Sequence, residues 1–145
     1  MVSRSCVALV LTGCLLAALP VHARKGEPDK VVVQHILVGF KKSVPGKTLD
    51  RTKQQAKALA SDLLRRAEEG EDFDALVKEY TDDRYPGMML LTNKDAPRVS
   101  GGTMRSQVVA KFGDVAFRLE VGEVGMASYH AAMSPYGWHV IKRLE

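Results

Sequence analysis

Cysteine is almost missing from this chain. Its two cysteines, Cys6 and Cys14, both fall within the first 23 residues, and the 122 residues that follow contain no thiol. A domain built from that remainder has no disulfide framework, no cysteine nucleophile and no thiolate metal site. Charge of one sign is scarce too. Beyond residue 23 there are 20 Lys and Arg against 17 Asp and Glu, a surplus of three. That surplus is too small to argue for nucleic acid, and no basic stripe interleaved with aromatics accompanies it. The one extended apolar run, Cys6 to Leu19, is shorter than the roughly 20 residues a membrane span requires. Internal repeats and low-complexity segments are lacking as well.

What is present begins with a processing signal. Arg4 supplies a positive start, Cys6 to Leu19 an apolar stretch, and Val21-His22-Ala23 a small-residue ending, so residues 1–23 read as a secretory signal peptide cleaved after Ala23. A second processing route competes with it. Leu11-Thr12-Gly13-Cys14 is similar to the lipobox of bacterial lipoproteins, which would leave Cys14 lipidated. The apolar run continues past Cys14 through Leu15, Leu16 and Leu19, which favours cleavage at Ala23. Either route takes the protein to the periplasm or cell envelope. Residues 24–30 read as a flexible lead-in, and 31–145 as one domain. About 120 residues suffice to bury a core without covalent staples.

Val31 to Val38 is the first expected strand, apolar on both faces and so central in a sheet. By its period of two, His35 shares a face with Val31, Val33 and Leu37. A loop with Lys41, Lys42, Pro45-Gly46 and Lys47 follows. The spacing of Ala56, Leu59, Ala60, Leu63, Leu64 and Ala67 predicts a long helix over about Leu49–Glu69, with Thr52 and Gln55 as a candidate capping box and Gly70 as its stop. Asp72 caps a short second helix with Phe73, Leu76, Val77 and Tyr80 on its apolar face, and both helices are expected on one face of the sheet. Thr81 to Gly87 is a polar turn, Met88 to Leu91 a short strand, and Thr92 to Thr103 a long loop. Gln107–Phe112 and Asp114–Leu119 read as two helical pieces around Gly113. Val121 to Gly125 is a turn into a third strand. The closing segment, Trp138 to Leu144, is a strand behind a Ser134-Pro135 and Gly137 turn, with His139 facing the same way as Ile141. The order β-α-α-β-α-β-β predicts an α+β domain with a small, mostly antiparallel sheet.

Four segments carry a resemblance. Gln34-His35-Ile36-Leu37-Val38 resembles the histidine-bearing first strand of parvulin-type peptidyl-prolyl cis-trans isomerases. Gly70 to Leu76 is similar to that family's G-x-D-F-x-x-L segment, Phe112 to Val124 to its F-x-x-A-F-x-L-x-x-G-E segment, and Tyr136 to Lys142 to its closing G-W-H-I-I-K. The four occur in the family's order, and the likeness they mark spans about Val31 to Glu145. The resemblance implies a parvulin-like fold with a four-stranded sheet. It places His35 and His139 side by side on neighbouring strands, with Asp83 (or Asp82, one register step away) facing them and Ser134 joining the network. Val108 and Phe112 match the proline pocket, with Met88 or Met89 as its third wall. Two departures stand out: the stretch from Asp83 to Val108 is longer than usual, and Pro86 to Leu91 replaces the family's G-G-D-L-G-x-F.

The function so implied is isomerisation of X-Pro bonds in unfolded or extended proline-containing polypeptides. It calls for no cofactor, no metal, no nucleic acid and no partner subunit. The two histidines are expected to hydrogen-bond each other and to act as positioning groups, since no proton need move. The competing reading is a non-catalytic peptide-binding or chaperone module using the same groove. Lys41, Lys42 and Lys47 read as a solvated basic loop, and His130 carries no assignment.

Overall fold

The computed structural model describes residues 26–145, so the expected signal peptide, its cleavage after Ala23 and the Cys14 alternative lie outside the described residues. The elements run β1 (Lys30–Val38), α1 (Lys53–Glu68), α2 (Phe73–Tyr80), β2 (Met88–Thr92), β3 (Thr103–Met104), a 3-10 turn (Arg105–Gln107), α3 (Ala110–Ala116), β4 (Val124–Ala127) and β5 (Trp138–Arg143). They form one sheet in the order β3-β2-β1-β5-β4. All pairings are antiparallel except the short parallel contact of β3 with β2.

The sheet thus has five strands, not the four expected. The added strand is Thr103–Met104, two residues that pair with Leu91 and Thr92. A two-residue strand lacks the length over which alternation becomes visible in sequence. The doubly apolar β1 is central, as its pattern requires, with β2 on one side and β5 on the other.

Period two divides β1 between two cores. Ile36 and Val38 join Val140 and Trp138 of β5 under α1 and α2, where Ala56, Ala60, Leu63, Phe73, Leu76 and Val77 are buried. Val31 and Val33 join Leu91 and Ile141 on the opposite face, covered by Phe112, Ala116 and Phe117 of the α3 region. Both histidines, at odd positions like Val33 and Ile141, belong to this second face.

Helix α1 begins at Lys53, later than the expected Leu49. The Thr52–Gln55 capping box is formed in both directions and sets that start. The two expected helical pieces around Gly113 are also corrected. The first is a 3-10 turn ending at Gln107, and α3 runs through Gly113 without a break. Glycine is there for space: a Cβ on Gly113 would lie 2.9 Å from Cγ of Arg105.

Candidate active site

The site is built where β1 and β5 pair side by side beneath α3. His35 pairs with Ile141, and Leu37 with His139, so the two histidines are diagonal neighbours on adjacent central strands. Their ring centroids are 5.8 Å apart with planes at 45°. Phe112, projecting from α3, meets both edge-on, at 5.1 Å from His35 and 5.3 Å from His139. The three rings form the floor of the site, and all three are buried.

The histidines differ in their partners. His35 Nδ1 donates to the Gly87 carbonyl at 2.9 Å, and the same carbonyl accepts from the His35 backbone N–H at 3.0 Å. His35 Nε2 lies 3.3 Å from Oδ2 of Asp83, a hydrogen bond in the ring's protonated form. That contact, above all, holds the Asp83 carboxyl down to about 2, against the opposing pull of partial burial. His139 has no hydrogen-bond partner at either nitrogen among the described residues. Burial first, and the neighbouring His35 second, push it down to about 3, so its ring is neutral at ordinary pH. The expected hydrogen bond between the two histidines is absent. Their strand positions are diagonal, which leaves the rings in contact through their faces and edges instead of nitrogen to nitrogen.

Asp83 reaches His35 because the end of α2 is tied to β1. The Leu37 N–H donates to Thr81 Oγ1 at 3.2 Å, and the Asp82 N–H donates to the Leu37 carbonyl at 2.8 Å. These bonds turn the chain so that successive aspartates part company. Asp83 faces the histidine, while Asp82 is buried beside Gly39 and Arg51. Gly87, the partner of His35 Nδ1, has φ +65° and approaches β1 closely; a Cβ there would sit 2.6 Å from the His35 carbonyl oxygen.

Above the floor opens a cavity of about 460 Å³. His35, Asp83, His139, Met89, Val108 and Phe112 all line it, and so are brought together as the sequence suggested. Two expected residues are not. Met88 points to the other face of the sheet and is half exposed. Ser134 is fully buried and donates to the Gly137 carbonyl at 3.1 Å, which closes the turn before β5; it lies outside the cavity lining and hydrogen-bonds neither imidazole of the site. His130 serves the same turn: its Nδ1 accepts from the N–H groups of Ala132 and Met133. Leu37 of β1 lines it as well, and sequence reasoning missed Val44, Pro45, Gln107, Val109 and Tyr136, which complete the lining. They lie in loops or at helix edges, where no periodicity marks a side chain as facing a cleft.

Comparison with known proteins identifies the arrangement. A family model described as a PPIC-type PPIASE domain matches residues 19–145. The chain belongs to the PPIC-type peptidyl-prolyl isomerase family, the parvulins. Among curated parvulin relatives, the chain is 33% identical over 136 residues to the Chaperone SurA of Chromohalobacter salexigens, covering 88% of this chain and 26% of that protein. It is 28% identical over 124 residues to Foldase protein PrsA 1 of Lactobacillus johnsonii, covering 85% and 33% respectively. The chain therefore spans a quarter to a third of the length of these relatives. The peptidyl-prolyl isomerase ESS1 from Candida albicans shares the fold at TM-score 0.58 and 20% identity, over 81% of this chain and 63% of that one. The solution structure of TbPIN1 does so at 0.59 and 21%, over 81% and 98%.

Proposed function

We propose that this parvulin catalyses cis-trans isomerisation of X-Pro bonds in extended or unfolded polypeptides. The observation that carries the reading is the cavity itself: an apolar cleft floored by Phe112 and two buried imidazoles, walled by Met89 and Val108, with one ionised carboxylate at its edge.

The X-Pro bond favours trans only slightly, yet crosses a barrier of ~18–20 kcal/mol set by amide resonance. No bond forms or breaks, so catalysis consists in favouring the twisted amide over both planar forms. The proline ring fits against Phe112, Met89 and Val108 while the preceding carbonyl rotates. Excluding water removes solvation from the charge-separated planar amide more than from the twisted one. His139, neutral and with both nitrogens buried, is unsuited to moving a proton. Its role is to shape the floor and hold Phe112. Asp83 orients His35 through the Nε2 contact, and Gly87 holds the other ring nitrogen. Ser134 acts on β5 by closing its turn.

The test is acceleration of isomerisation in a short X-Pro peptide by the purified protein. Phe112→Ala is expected to lower kcat/KM at least tenfold, with folding checked by circular dichroism. It also removes a buried aromatic, at a cost of about 3–5 kcal/mol in stability. A wild-type protein that binds unfolded polypeptide but never accelerates the peptide would favour the peptide-binding module instead. The presequence pattern of residues 1–23 supports export to the periplasm or envelope as part of this proposal, and cell fractionation of the wild type beside Cys14→Ala separates a cleaved protein from a lipid-anchored one.

A further inference from the structure

The aspartate that does not face His35 has partners of its own. Asp82 is 8% exposed, and its Oδ2 accepts from the Gly39 N–H at 2.7 Å and from the Arg51 guanidinium. Arg51 also reaches the Gly39 carbonyl at 3.3 Å, and its own carbonyl accepts from the Lys41 N–H at 2.9 Å. One buried carboxylate at the end of α2 thus ties together both ends of the segment 39–51.

Between those ends the segment has no helix or strand, and it carries Val44 and Pro45 at the rim of the cavity. It is braced a second time across the cleft. Ser43 Oγ accepts from the Phe40 N–H at 2.8 Å and donates to the carbonyl of Tyr136, another lining residue, at 2.7 Å. Gly39 allows the fold-back, since a Cβ there would lie 2.5 Å from a Val44 methyl. Ordering an irregular segment of this length costs entropy at every residue. If the ordering were left to the moment of binding, that cost would weaken affinity.

We infer that Asp82 and Arg51 are positioning residues that hold the segment 39–51 as a preformed wall of the peptide groove. The inference rests on the isomerase reading above. Neither residue lines the cavity or hydrogen-bonds the three rings on its floor, so the effect falls on binding and leaves the bond-twisting step alone.

The experiment compares wild type with Arg51→Gln, Arg51→Lys and Asp82→Asn, using a short X-Pro peptide for kinetics and calorimetry for its Kd. Arg51→Gln and Asp82→Asn are expected to raise KM and Kd by about tenfold, the ratio set by a wall populated one-tenth of the time. Kcat is expected to stay within about twofold, and Arg51→Lys to recover most of the affinity. A merely structural role would lower kcat through loss of folded protein while leaving KM unchanged, and that result overturns the inference. Should Asp82→Asn fail to fold, hydrogen exchange on Arg51→Gln decides. Loss of protection at the Gly39 and Lys41 amides, with β1 unaffected, supports the clamp; unchanged protection overturns it. Because Kd is read without turnover, a wild type that binds but does not isomerise would refute the isomerase proposal and still leave the clamp open to judgement.

Discussion

At the scale of single residues, the two histidines show how one side-chain type takes opposite conditions a few ångströms apart. His35 has an acceptor at each nitrogen, Gly87 on one side and Asp83 on the other. His139 has none at either among the described residues, and is buried to the same degree. A buried polar group without a partner costs stability, and an apolar residue of similar shape relieves that cost. His139→Leu is therefore expected to leave the protein at least as stable as wild type, or within about 1 kcal/mol of it, in urea titration. A loss beyond about 3 kcal/mol would mean that an unseen partner satisfies the ring. The neighbouring aspartates make the complementary point. Asp82 and Asp83 are consecutive, equally polar, and read alike in a turn. Only the hydrogen bonds of the turn to Leu37 separate them, one to the histidine and one to the base of a loop.

At the scale of elements, the site depends on backbone placement more than on the reach of side chains. Strand β2 begins at Met88, immediately after Gly87, whose carbonyl serves two donors of His35. Gly87→Ala puts a methyl into the space of the His35 carbonyl and strains a φ of +65°. The substitution is expected to cost more than about 1 kcal/mol and to release His35 Nδ1. The check is an NMR spectrum of the imidazole nitrogens, in which the Nδ1 signal of His35 should move while that of His139 holds still. The helix α3 is the matching element above the sheet. Arg105 lies along Gly113, its guanidinium meets Asp114 at 2.7 Å, and it also pairs with Glu27 and Asn93. The expected flexible lead-in is thus fastened at Glu27 to the same region that carries Phe112.

For the molecule as a whole, the two perturbed groups of the site, His139 and Asp83, act on stability in the same direction. His139 has its folded value pushed down to about 3 from an ordinary 6.5, so between those limits the unfolded chain binds more protons. Stability is then fully present above about pH 6.5 and falls as the pH drops toward 3, by at most about 1.4 kcal/mol per unit. Asp83, held down to about 2 from 3.8, adds a further loss as the pH falls from 3.8 through 2. Urea midpoints measured at pH 7.5, 5.5 and 4.5 should decline through this series. In His139→Leu the decline between pH 6.5 and 4.5 should flatten; an equal slope in both proteins would assign the effect to other groups.

Much of this molecule is written in periodicities. The central β1, the single buried stripe of α1, the placing of His35 with Val33 and that of His139 with Ile141 follow from local chemistry repeated at a period of 2 or 3.6, and the Thr52–Gln55 capping box from one local pair. The order of four segments carried the family, and with it Asp83, Val108 and Phe112. Tertiary structure alone decided the rest. It set the diagonal registry that keeps the two imidazoles from bonding, and the separate fates of Asp82 and Asp83. It also made the short fifth strand, turned Met88 away while Met89 faces the cleft, and assembled a loop wall from Val44, Pro45 and Tyr136. Each of these depends on contacts between residues distant in the chain, formed where no repeat extends far enough to announce them.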